Sequence, residues 1–91
     1  GRHPTRPPVI VFSWRRGGQG RLLQTDGDLV SVLSSLACPP GTPLEGDLEG
    51  SMFRIKVRSC RKCDEAAELP FRIEGRFQNL TREQRARLVR D

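Results

Sequence analysis

The chain has 91 residues, 35% of them hydrophobic, enough for one domain whose modest core buries roughly 60–65% of the unfolded surface. Its net charge is +5, and only Lys56 and Lys62 are lysines, so the other 14 of the 16 basic residues are arginines. No stretch approaches the ~18 apolar residues of a membrane span. The apolar run 9–14 is too short for a signal-peptide core, and three cysteines do not make a secreted disulfide framework. A cytoplasmic protein without membrane insertion is therefore expected.

In chain order, Pro4, Pro7 and Pro8 keep residues 1–8 extended. Val9 to Trp14 is β-branched and aromatic and predicts a first strand. Arg15 to Gly20 holds three glycines and predicts a turn. Arg21 to Thr25 predicts a second strand, Asp26-Gly27 a turn, and Asp28 to Leu36 a third strand. The prolines at 39, 40 and 43 impose a loop before a half-exposed strand from Leu44 to Glu49. The clearest signal follows Gly50. Met52, Arg54, Lys56 and Arg58 alternate strictly with Phe53, Ile55 and Val57, which predicts one wet face and one core face. Residues 60–68 are expected to form a hairpin loop. Leu69 to Phe77 then turns Phe71, Ile73, Gly75 and Phe77 inward and Arg72, Glu74 and Arg76 outward.

Six short strands at about ten-residue spacing predict a mainly β fold, a small six-stranded antiparallel barrel over 9–77 within one domain spanning 1–91. Its expected interior holds Val9 or Ile10, Leu29, Phe53, Ile55, Val57, Phe71, Ile73 and Phe77. A short C-terminal helix over 81–90 is marked by Thr81 and Gln84, a capping box of the Thr-x-x-Gln form. Leu80, Leu88 and Val89 can dock it on the barrel, leaving Arg82, Arg85, Arg87 and Arg90 to solvent. A chain that opens on Gly1 is expected to belong to a longer protein, with an adjacent domain or protein partner.

Catalytic chemistry has little to draw on. His3 is the only histidine, tyrosine is absent, and no nucleophile-and-base pattern or phosphate-binding glycine loop occurs. Cys60-Arg61-Lys62-Cys63 has the spacing of half a zinc site. With Cys38 and His3 the chain holds just three sulfurs and one nitrogen, but a second such pair is missing, His3 lies in a Pro-rich terminus, and the spacing falls where a hairpin loop is needed anyway. These cysteines are expected to serve a loop or the core, with no metal and no cofactor. Arg2 and Arg6 stand out instead. On a proline-stiffened arm they are candidates to clamp an anionic or guanine-bearing ligand over one mouth of the barrel, because a guanidinium fork fits phosphate oxygens and guanine edges; a frayed terminus with exposed charges is the plainer reading of this feature alone.

Taken together, these residues resemble a bacterial PilZ domain, the family known for binding cyclic di-GMP. Arg2-x-x-x-Arg6 immediately before a strand is similar to the family's N-terminal motif. The segment 39–44 looks like its approach to a middle strand, the segment 53–60 like the strand before its last hairpin, and 71–77 with Leu80 and 81–88 like its closing strand and helix. The resemblance covers nearly the whole chain. It implies a six-stranded barrel and a regulatory ligand site built from Arg2, Arg6, Gln24 and Gly27. At the family's second motif, D/N-x-S-x-x-G, this chain reads Leu22-x-Gln24-x-x-Gly27, so only the glycine survives. Two polar partners lost from a buried nucleotide, at roughly 1–3 kcal/mol each, imply binding roughly 30- to 10⁴-fold weaker. Two other readings stand beside a weakened receptor. One is a PilZ-like interaction module that no longer binds the nucleotide. The other is an unrelated basic barrel that binds nucleic acid, which the few, core-facing aromatics disfavour.

Overall fold

The computed structural model describes residues 10–48 and 50–88, and their side chains except those of Arg87 and Leu88. The arm bearing Arg2, His3 and Arg6, together with Val9, Glu49, Val89 and Arg90, lies outside the described residues. The strands are β1 (Val11–Trp14), β2 (Gln19–Asp26), β3 (Leu29–Ser34), β4 (Pro43–Leu48), β5 (Ser51–Lys62) and β6 (Phe71–Gln78), followed by the helix α1 (Arg82–Leu88). Every neighbouring pair is antiparallel. The order β1-β2-β3-β6-β5-β4 closes through pairing of β1 with β4, so among the described residues no sheet edge is left open. The architecture is the six-stranded antiparallel barrel with one short C-terminal helix that the alternation predicts.

The core follows from the same period of two. Phe12 and Trp14 of β1, Val30 and Val32 of β3, Leu44 of β4, Phe53, Ile55 and Val57 of β5, and Ile73 and Phe77 of β6 are buried in one cluster, which Cys38 joins from the loop after β3. Ile10, Leu22, Leu36, Leu48, Cys60 and Leu80 pack against its rim. Four of the chain's five aromatic rings meet inside: Phe53 lies 4.7 Å from Phe12, 5.9 Å from Phe77 and 6.2 Å from Trp14, centroid to centroid. These are separations at which tilted and edge-to-face rings attract. Gly75 is needed where β6 crosses β5, since a Cβ there would run into the backbone carbonyl of Lys56.

Three expectations need correction. Leu29 is not in the interior: it pairs across the strands with Asp26 and Arg76 on the outer face and is 38% exposed, while its neighbour Val30 takes the core position. Phe71 is only half-buried, because it sits at the end of the barrel with Ser34 and Lys62 as its cross-strand neighbours. Residues 60–62 are not loop. β5 runs through Lys62, paired with Phe71, and the connection to β6 comes after it.

The helix is held by the predicted cap. Thr81 Oγ1 accepts from Gln84 N, and Gln84 Oε1 accepts from Thr81 N, both at 3.1 Å. The Gln84 amide also reaches the barrel, donating to Ser51 Oγ at 2.7 Å and to the carbonyl of Met52. Arg85 meets Asp28, beside the β2–β3 turn, at 2.6 Å. One short helix thereby joins two hairpin ends of the barrel. No described helix is long and apolar enough to cross a membrane.

Candidate functional site

Two irregularities in the ladder shape the outer face. Between β2 and β3 the register passes from Leu22↔Val32 to Gln24↔Ser31, which makes Leu23 an extra residue. Between β5 and β6 it passes from Val57↔Gly75 to Ser59↔Glu74, which makes Arg58 the extra one. A bulge interrupts the two-residue alternation and re-aims the side chains around it. Leu22 therefore packs against the core, whereas Gln24, two residues on, is exposed on the outer face. After Arg58, likewise, Ser59 takes the outer face and Cys60 the inner.

The two bulges flank one cross-strand row, one on either side of it. Between them runs an outer row of Gln24, Ser31, Glu74 and Ser59, one residue from each of β2, β3, β6 and β5. This row floors a groove of about 440 Å³ that is also lined by Asp26, Leu29, Val30, Arg58 and Gly75. Glu74 stands in its middle. Its carboxylate accepts from Ser31 Oγ and from Ser59 Oγ, each at 3.4 Å, and Arg72 Nη2 lies 3.8 Å away. The buried Nε of Arg72 has no hydrogen-bond partner among the described residues.

Of the residues singled out by sequence, Gln24 lines this groove. Gly27 does not: it turns the chain between β2 and β3 with φ of 62°, left-handed backbone that glycine adopts at no steric cost. Arg2 and Arg6 lie outside the described residues, but the point where their arm joins the barrel is described. The carbonyl of Ile10 accepts from Leu22 N at 2.9 Å, just before the bulge at Leu23. Arg6 and Ile10 are four positions apart in the chain, a reach of at most about 13–14 Å. Ser31, Ser59, Glu74 and Arg58 are groove residues that sequence reasoning missed. Their only signal was a polar set on outward positions of three strands, which any solvated sheet face also shows.

The cysteines divide differently from their spacing. Cys60 faces the core rim on β5, and Cys63 continues the extended chain with its N–H on the carbonyl of Pro70 at 2.8 Å. An odd separation in extended chain sends two side chains to opposite faces, so the pair does not converge on one ion. Among the described residues no three His, Cys, Asp or Glu side chains gather around a common point. Cys38 lies near Cys60, whose sulfur accepts from Cys38 N at 3.5 Å. Burial pushes the Cys38 thiol above its ordinary range, against the opposing pull of the Arg16 guanidinium, and Cys60 adds to the rise.

Comparison with known proteins brings no match. Neither a family model, nor a curated protein, nor a solved structure matches this chain.

Proposed function

We propose that this chain is a PilZ-like regulatory binding domain, and that the outer groove takes cyclic di-GMP with low affinity. The observation that carries the reading is the position of the groove. It opens over β2, β3, β6 and β5, with Gln24 in its floor, and Ile10, four positions after Arg6 in the chain, is held beside the bulge on β2. Binding rather than catalysis fits the groove's inventory. Among the described residues its polar side chains are two serines, a glutamine, two carboxylates and one arginine, with no histidine, cysteine or lysine among them to pair as base and nucleophile.

Low affinity follows from charge. Among the described residues, Glu74 and Asp26 stand in the groove against Arg58 alone, one cation for the two phosphates of the ligand. The Leu22 position also bears on the family pattern. An aspartate there would point into the core cluster, so Leu22→Asp is not a clean restoration of the motif, whereas Gln24→Ser on the outer face is. A second reading, an interaction module without nucleotide, is favoured by those same carboxylates.

Isothermal titration decides between them. Cyclic di-GMP is expected to bind with a dissociation constant no tighter than roughly micromolar and to weaken with added salt. Arg6→Ala is expected to cost about 1–3 kcal/mol. A wild-type chain silent to millimolar ligand, with folded Gln24→Ser equally silent, leaves the interaction module.

A further inference from the structure

The groove is chemically two-sided. At its centre, the side chain of Glu74 is 43% exposed and its hydroxyl partners stand at 3.4 Å, well beyond the ~2.7–2.8 Å of a good O–H···O bond. An ionised carboxylate offers about four lone-pair positions, so Glu74 retains acceptor capacity toward anything that occupies the groove. On the β5 side, Arg58 is thrown out by the bulge and lines the groove. Further along the same face, Lys56 and Arg76 stand directly opposite each other, both exposed. Like charges directly opposed across two strands are destabilising unless something neutralises them. Among the described residues, no carboxylate lies within salt-bridge distance of Lys56, Arg58 or Arg76.

We infer that the groove discriminates the base of its nucleotide: Glu74 accepts the paired N–H donors of a guanine edge, and Arg58, backed by Lys56 and Arg76, holds a phosphate. The inference rests on reading the groove as a nucleotide site. Guanine presents its ring N–H and its amino group side by side, a match for the two oxygens of a carboxylate. Adenine puts a ring nitrogen lone pair at the corresponding place, which a carboxylate repels. The negative charge of Glu74 also keeps phosphate away from the centre, so the ligand has one orientation, base over Glu74 and phosphate toward β5. Glu74 is then a specificity-determining residue, and Arg58 an anion contact.

The test is titration of the wild-type chain, Glu74→Gln and Arg58→Gln with cyclic di-GMP, cyclic di-AMP and GMP, each variant checked for folding by its tryptophan emission. The wild type is expected to prefer cyclic di-GMP over cyclic di-AMP by about tenfold or more. Glu74→Gln should abolish that preference, and Arg58→Gln should weaken both cyclic dinucleotides alike. Cyclic di-GMP binding with an unchanged preference in Glu74→Gln, or with none in the wild type, overturns the inference and leaves the receptor reading standing. Binding of GMP but not cyclic di-GMP, lost in Glu74→Gln, keeps the role of Glu74 and removes the cyclic dinucleotide. Silence toward all three ligands removes both.

Discussion

Among single residues, Ser34 is the hinge of the buried polar chemistry. Its hydroxyl accepts from the indole N–H of Trp14 at 2.8 Å and from Leu36 N at 3.0 Å, and donates to the Leu36 carbonyl at 2.8 Å. Trp14 is 3% exposed, so water is no substitute partner for its N–H. Ser34→Ala leaves that donor unsatisfied and is expected to cost about 1–3 kcal/mol. Urea unfolding followed by emission of Trp14, the chain's only tryptophan, measures the loss directly. A midpoint unmoved by the substitution would mean that the indole finds another acceptor. None of this was legible from sequence. Ser34 reads there as one more serine in a strand, and it acquires its role only because β3 brings it level with a residue twenty positions earlier.

The helix and its docking belong to the scale of elements. A seven-residue helix does not persist alone in water, since nucleation fixes several residues for each hydrogen bond gained. Gln84 resolves this by acting twice, as the return half of the cap and as the donor to Ser51 and Met52. Thr81→Ala removes one capping acceptor and is expected to cost about 1 kcal/mol. Gln84→Glu keeps an acceptor for Thr81 N but turns carboxylate oxygens toward the Met52 carbonyl, so it should cost more than Thr81→Ala. Thermal melts of the two variants give the order, and the reverse order would show that the cap outweighs the docking. The Arg85–Asp28 pair, both side chains about half-exposed, adds only about 0.2–1 kcal/mol despite its short contact.

For the molecule as a whole, a buried thiol is expected to make stability depend on pH. Burial raises the Cys38 pKa above its unfolded value, so the folded chain keeps a proton that the unfolded chain gives up. Where the folded state binds more protons, stability falls as pH rises. The decline should start near the ordinary thiol range, about pH 8.5, with no contribution from Cys38 near neutrality. Urea unfolding from pH 7 to pH 10 is expected to show this slope. Cys38→Ala should lie lower at pH 7, for the cavity it leaves, and lack that part of the slope. An identical slope in both proteins would place the titration elsewhere.

The amino-acid sequence alone determined the strand count, the antiparallel barrel, the inward faces of β5 and β6 up to Val57, and the Thr81–Gln84 cap, because alternation and capping are local and depend on residues a few positions apart. The tertiary structure decided where alternation breaks. Leu23 and Arg58 become extra residues only through the register of β2 on β3 and of β5 on β6, a property of strands paired across the barrel. Those two shifts turn Leu22 inward and Gln24 outward, carry Cys60 to the core rim, and align Gln24, Ser31, Glu74 and Ser59 beneath one groove. A period of two can be read along a single strand, but the place where it slips is set by the partner strand.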